Sequence, residues 1–391
     1  MSQDNPVVSE PPAGSAGGAS GRGFKLRQAL EEMVRRNASD LHLKVGRAPV
    51  LRIFGELVQL DMPIFRPDEA RKCADQILLP ALREDFAERH EVDFAIGVQG
   101  LGRFRVNLFQ QRGTLSFAFR LIPFEIPSLH DLELPPILED IAVYPRGLVL
   151  VTGITGSGKS TTLAAMVRYI NEHRAVNIIT IEDPIEFLHR DQRSLVSQRE
   201  VGSDTLSFNE ALRHVLRQDP DVIMLGEIRD HVSMDTCLKA ANTGHLVLST
   251  LHTTDAARSV SRIISFFPPH EHQEIRALLA DALRAVVSMR LIPRADGHGR
   301  VPALEIMINT AAIAERIRSG DQLHTLPDLI SEGRNQYGMQ SFDQSLMELL
   351  RNGAISYETA LHSATNQADF KLRASGIEAA SSMSWDPGQK S

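Results

Sequence analysis

From Gly147 the chain runs through an apolar stretch, GLVLVT, into the glycine-rich segment Gly153-Ile-Thr-Gly-Ser-Gly158-Lys159-Ser160. From Thr161 it continues into apolar residues at helical spacing. A continuous apolar run is what a parallel strand covered on both faces requires. The segment after it matches GxxxxGK[ST], and a strand before and a helix after form the context in which that pattern has a mechanism. Glycines let the backbone curl so that successive N–H groups point inward, and the following helix adds the positive end of its dipole. Such a loop is built for phosphate. Gly153, Thr155, Gly156, Ser157 and Gly158 are expected to form the cradle and Lys159 to reach the β and γ phosphates. Ser160 is expected to offer a hydroxyl to Mg2+, and Thr161 to stand beside an α-phosphate. The cofactors implied are ATP and Mg2+.

Similar apolar runs recur at Val176–Ile181, Val222–Leu225 and Leu246–Leu248, with helical patterns such as Thr161–Ile170 and Phe208–Leu216 between them. That alternation predicts an α/β domain with a doubly wound parallel sheet. Ahead of it, Leu26, Leu30, Met33 and Val34 fall at helical spacing, and Leu41, Leu43 and Val45 alternate as a half-buried strand does. Strand-like alternation returns over 92–98, 104–109 and 115–121, with Gly55 and Gly113 placed as turn residues. These segments predict a smaller α+β domain over 24–123. A proline-rich linker follows over 124–145, then the ATPase core over 146–300 and a mostly helical part over 301–370. Residues 1–23 and 371–391 are poor in large apolar groups and read as disordered tails.

Hydrolysis of a bound nucleotide needs a carboxylate that activates or positions water. The run Val222-Ile-Met-Leu-Gly226-Glu227 resembles a Walker B strand in which glycine replaces the usual Asp, so Glu227 is the acid at the tip and the candidate base. A second acidic pair, Glu182-Asp183, ends another strand, at the edge where open α/β sheets bind ligands. Glu182 is expected to assist the metal or the water. Each acid could instead cap the helix that follows it. His245 and His252 flank the last apolar strand in TGHLVLSTLHTT and are candidate phosphate sensors. Two histidines without Cys or acidic partners do not complete a tetrahedral zinc site.

Composition narrows the remaining classes. Apolar residues make up 42% and charged residues 23% of the 391, which excludes a disordered chain. No apolar run approaches the roughly 18 residues needed to span a bilayer, and the N-terminus lacks a secretory pattern, so a cytosolic protein is expected. Cys73 and Cys237 are too few for a disulfide framework. A net charge of −7 argues against a nucleic-acid partner, whose phosphates are usually met by clustered Lys and Arg.

The blocks ITGSGKSTTLAAM, TIEDPIEF, DPDVIMLGEIRD, TGHLVLSTLHTTDA and GMQSFDQSL, in this order, resemble the type II/IV secretion ATPases, most closely their pilus-retraction branch, PilT and PilU. In that family the first four of these blocks are the Walker A motif, the Asp box, an atypical Walker B motif and the His box, so Gly226 conforms to type. The resemblance covers roughly 24–370 and implies a RecA-like ATPase domain preceded by a PAS-like domain. It further implies a homohexameric ring with ATP at a subunit boundary. Arginines of the N-terminal domain reach nucleotide in such ATPases. The matching block here holds Arg103, Arg105, Arg112 and Arg120, with Arg105 and Arg112 the foremost candidates. The implied partners are an inner-membrane pilus platform protein and a PilT paralogue, with the ring at the inner face of the membrane at the pilus base. The segment Ala312-Ile-Ala-Glu-Arg-Ile-Arg-Ser319 departs from the AIRNLIRE often found in the branch and, with the C-terminal sequence, looks more like PilU. Alternatives are a pilus-extension or type II secretion ATPase, or a nucleic-acid translocase.

Overall fold

The computed structural model describes residues 24–376 except 54 and 124. The chain divides into two compact units, one of residues up to Glu125 with Ile185–Leu188, the other of Ile126–Pro184 with His189 onward.

In the first unit, α1 (Leu26–Arg35) buries Leu26, Ala29, Leu30 and Met33, the 3–4 spacing that gives one helix face to a core. Three strands follow, β1 (Asp40–Lys44), β2 (Val50–Ile53) and β3 (Glu56–Gln59), then α2 (Pro67–Ile77) and α3 (Pro80–Arg89), each with proline in its first turn. Strands β4 (Glu91–Val98), β5 (Gly102–Gln111) and β6 (Thr114–Ile122) complete a six-stranded sheet in the order β3-β2-β1-β6-β5-β4, antiparallel throughout. On β5, Phe104, Val106 and Leu108 are fully buried while Arg105 between them is exposed, the alternation of a sheet with one covered face. Between β5 and β6 stand Arg112 and Gly113 at φ 49° and 75°. Paired positive φ values in a two-residue connection match the right-handed twist of the strands it joins.

The second unit opens with α4 (Ile137–Ala142), a helix inside the proline-rich segment 124–145. It continues with β7 (Gly147–Thr152), α5 (Lys159–His173), β8 (Asn177–Glu182), β9 (Leu195–Glu200), α6 (Phe208–Val215), β10 (Val222–Leu225), α7 (His231–Asn242), β11 (Leu246–Leu251) and α8 (Ala256–Ser265). Then come α9 (His272–Ala282), β12 (Leu283–Pro293) and β13 (Arg300–Ile308). The sheet order is β13-β12-β7-β11-β10-β8-β9, with β13 antiparallel and the rest parallel.

Burial on both faces of this sheet explains the unbroken apolar runs. On β7, Leu148 and Leu150 enter one core with Leu212 of α6, Leu238 of α7 and Ile263 of α8, while Val149 and Val151 enter another with Leu138 of α4 and Met166 and Ile170 of α5. Each such side chain contributes roughly 1.5–3 kcal/mol on burial. The predicted strands and helices of this unit are all present.

Two features extend the sequence reading. The sheet continues across residue 300, because β12 pairs with β13 from Ala285↔Ile308 to Pro293↔Arg300. The edge strand β9, LVSQRE, is polar, leaves Leu195 exposed and carries no apolar run by which a strand would be recognised. Beyond β13 the chain is helical, as expected: α10 (Ala311–Ser319), α11 (Leu326–Glu332), α12 (Arg334–Tyr337), α13 (Phe342–Arg351), α14 (Tyr357–Ser363) and α15 (Gln367–Ala374). Leu346, Ala360 and Phe370 of these helices pack with Ile292, Val301 and Ala303 of β12 and β13. Helix α15 runs through Ala374, past the start of the expected tail at 371, and residues 377–391 of that tail and residues 1–23 lie outside the described residues.

Candidate active site

The loop after β7 is shaped by its glycines. Gly153 has φ 148°, and a Cβ there would lie 2.5 Å from Ser157 Oγ and 2.6 Å from the Met289 carbonyl oxygen. Any side chain would force the loop open. Gly158, at φ 96°, caps α5 from the left-handed region, so that the helix begins at Lys159. Lys159 is buried, 8% exposed, and its Nζ donates to the carbonyls of Gly153 and Ile154 at 2.9 and 3.0 Å. Its ammonium therefore lies inside the loop. Ser157 Oγ is buried with no hydrogen-bond partner among the described residues. A buried hydroxyl without a partner is uncommon and calls for an acceptor. Thr155, Gly156 and Ser160 are exposed at the mouth of the loop and Thr161 is half-buried in the first turn of α5. These donors fit a nucleotide phosphate, and the Ser160 hydroxyl is of the kind that completes a Mg2+ shell dominated by phosphate and water oxygens.

The strand order brings acids to the same edge. Because β11 lies between β7 and β10, Glu227 at the tip of β10 stands about 10 Å across the sheet from the end of β7. His252, directly after the intervening β11, reaches one side of that gap: its Nε2 lies 2.9 Å from Glu227 Oε2. On the other side Arg229 pairs with Glu227 Oε1, and with Asp183 Oδ2 at 3.5 Å. Arg229 thus joins the tips of β10 and β8. Partial burial works to raise the pKa of Glu227, but the hydrogen bonds and charge of Arg229 and His252 outweigh it and hold the carboxyl below its ordinary value. Glu227 is therefore ionised and ready to accept a proton. Glu182, the last residue of β8, is 8% exposed and accepts from Thr180 Oγ1 at 2.7 Å and Gln198 Nε2 at 3.1 Å.

His245 requires a correction. It precedes β11, its carbonyl accepts from the amide of Gly147 at 2.9 Å, and its Nδ1 faces the Ala240 carbonyl at 3.0 Å. The length of β11, about 20 Å of extended chain, separates it from the phosphate loop of its own unit. Only the histidine that follows the strand belongs to this edge. Arg105 and Arg112 belong to the first compact unit, both exposed and neither in an ion pair among the described residues. Arg120, by contrast, is bound to Asp40 at 2.8 Å.

Arg229 and its bridge to Asp183 are the functional features the sequence reading missed. The residue lies in the quoted block GEIRD, two positions after the candidate base, and that proximity was the available signal.

A family model described as "Type II/IV secretion system protein" matches residues 128–380. The chain is 42% identical over 349 residues to the type IV pilus ATPase PilU of Pseudomonas aeruginosa, covering 89% of this chain and 91% of that protein. To the type IV pilus retraction ATPase PilT of the same organism it is 43% identical over 345 residues, covering 88% and 99%. Overall identity therefore does not separate the two. Among solved structures it resembles the pilus retraction motor PilT with bound ADP at a TM-score of 0.81 and 41% identity, over 88% of this chain and 98% of that one. With the phosphate loop, the paired acids and the histidine after β11 in place, the chain belongs to the type II/IV secretion system protein family.

Proposed function

We propose that this protein is a motor ATPase that hydrolyses Mg-ATP and couples the reaction to retraction of a type IV pilus. The observation that carries this reading is the placement of Glu227, an ionised carboxylate held by His252 and Arg229 at the sheet edge that also carries the phosphate loop. In this reading Lys159 turns from the loop carbonyls to the β and γ phosphates, and the buried Ser157 hydroxyl finds its acceptor in the nucleotide. Glu227 orients the attacking water and takes its proton, a role in which a positioned carboxylate contributes roughly 100- to 10,000-fold. His252 fixes the direction of Glu227, and Glu182 supports the metal side of the site. When bound, Mg2+ held by Ser160 and the nucleotide would neutralise charge on the phosphate oxygens.

The likeness to PilT and PilU over nearly their whole lengths supports the coupling to pilus retraction. On the same ground we assign a homohexamer that works on a pilus platform protein at the inner face of the membrane, alone or with a PilT paralogue. Arg105 and Arg112 then serve the nucleotide of a neighbouring subunit, where a guanidinium offsets charge that develops on the transferred phosphoryl group. No helix among the described residues is long and apolar enough to cross a membrane.

The test is steady-state ATPase activity and binding of a fluorescent ATP analogue for the purified protein and for Lys159→Ala, together with pilus length in a deletion strain. Magnesium-dependent hydrolysis lost in the variant and long, immobile pili in the strain are expected. Absence of nucleotide affinity in the wild type overturns the ATPase reading. Absence of pili in the deletion strain reassigns the motor to extension, and stimulation by DNA reassigns it to nucleic-acid translocation.

A further inference from the structure

Glu305 is a buried carboxyl that the hydrolytic scheme leaves unused. It lies on β13 opposite Ser288 of β12, is 6% exposed, and accepts a hydrogen bond from the amide of Ala256, the first residue of α8, at 2.8 Å. The start of α8 is thereby pinned to the sheet. Ser288 in turn pairs with Thr152 and receives its hydroxyl hydrogen bond at 2.8 Å, so the same point of the sheet touches the last residue before the phosphate loop.

The loop from His252 to Asp255 is bound tightly to that first turn. Asp255 Oδ1 accepts from the amide of Arg258 at 2.8 Å, and Thr254 Oγ1 donates to Asp255 Oδ2 at 3.0 Å. Ser259 Oγ donates to the Asp255 carbonyl at 2.7 Å, which leaves it to accept from Thr253 Oγ1 at 2.6 Å. Any shift of the α8 terminus therefore moves Thr253 and, with it, His252. A displacement of about 1 Å in such a supporting element lowers turnover by up to about 100-fold.

We propose that Glu305 is a positioning residue for hydrolysis: by holding the first amide of α8 it fixes the His252–Asp255 loop that presents His252 to Glu227. The proposal rests on the ATPase reading above. Its reach, not its charge, does the positioning, because either form of the side chain can accept from an amide.

The experiment compares kcat and nucleotide affinity of the full-length wild type, Glu305→Gln, Glu305→Asp, His252→Ala and the double variant Glu305→Asp/His252→Ala. The Gln variant keeps an acceptor at the same reach and is expected within about threefold of wild-type kcat. The Asp variant keeps the acid but falls short of the amide. Its kcat is expected to drop about 10- to 100-fold, with affinity for a fluorescent ADP analogue unchanged within about twofold. In the double variant the loss is expected to be no greater than in His252→Ala alone, since coupled residues are not additive. Unchanged kcat in the Asp variant, or a loss that multiplies with that of His252→Ala, overturns the proposal. Should the Asp variant fail to fold, Thr253→Val cuts the hydrogen bond that ties Thr253, next to His252, to Ser259 of α8, without touching Glu305. The same loss of kcat is expected there, and wild-type turnover in it is equally fatal. A wild-type protein without ATPase activity refutes the underlying reading instead, so the two failures are distinguishable.

Discussion

His252 Nε2 sits 2.9 Å from Glu227 Oε2, the two residues reaching toward each other from the tips of adjacent parallel strands. An ionised carboxylate can only accept, so the proton of this bond is on Nε2 and the histidine holds one oxygen of Glu227 while Arg229 holds the other. Glu227→Gln keeps the shape and one acceptor oxygen but removes the base, and it sets an amide NH2 against one of the two donors, His252 or Arg229. Its kcat is expected to fall at least about 100-fold while nucleotide affinity is retained. Single-turnover hydrolysis alongside equilibrium binding checks this, and wild-type turnover would remove Glu227 from the role of base.

Gly153→Ala tests the loop without touching any charged group. The added methyl meets Ser157 Oγ at 2.5 Å and the Met289 carbonyl at 2.6 Å, and the backbone there has φ 148°. The Ser157 hydroxyl could turn away, but the Met289 carbonyl is backbone, so the loop must shift. Affinity for ATP is expected to fall at least about tenfold and stability by on the order of 1–3 kcal/mol, the usual range for such strain. Binding by fluorescence and thermal unfolding together decide the matter; unchanged affinity would mean the loop does not depend on this close approach.

Arg229→Ala should move the pH dependence of turnover. Burial favours the neutral form of Glu227, and Arg229, with His252, is what holds its pKa down. Without the guanidinium the effect of burial is less opposed, the pKa rises, and the base is protonated at a higher pH than in the wild type. The acid limb of the kcat profile is therefore expected to shift to higher pH, with the neutral plateau less affected. A profile that keeps the wild-type acid limb would show that the ion pair does not govern the base.

How much of this site was legible in the sequence depended on whether the signal was local. The phosphate loop was fully legible, since strand, glycines and helix start are consecutive. Glu227 followed from its place after an apolar run. The distinction between His245 and His252 was available but easily missed: in a parallel sheet only the residue after β11 shares an edge with the loop after β7. Arg229 was a different case. Its role arises because the strand order sets β8 beside β10, bringing Asp183 within 3.5 Å, and nothing in the spacing of GEIRD announces that neighbour. The same holds for β9, an edge strand placed by pairing with β8 rather than by an apolar pattern of its own.

Glu305 gives a prediction for stability that is separate from turnover. Burial is the main cause that raises its pKa from 4.5 to about 7, and the neighbouring carboxylates Asp255 and Asp343 add to the rise. The Ala256 amide and Arg290 oppose it. Arg258, near Arg290 on the same side, is also turned to Asp255. Below about pH 4.5 the group is protonated whether the chain is folded or not, and ionisation takes nothing from stability. Between pH 4.5 and 7 the unfolded chain releases the proton while the native one keeps it, so stability falls as pH rises; above about 7 both are ionised and the loss is complete. A shift of this size corresponds to roughly 3 kcal/mol. Glu305→Gln cannot ionise and keeps the acceptor for Ala256. Its melting temperature is therefore expected to match the wild type near pH 4 and to exceed it by a margin that grows from about pH 4.5 up to about pH 7.5. The measurement is the difference in Tm between the two proteins across that range, which cancels every other titrating group. A difference that stays constant with pH would mean the Glu305 carboxyl does not titrate in the folded state as its surroundings require.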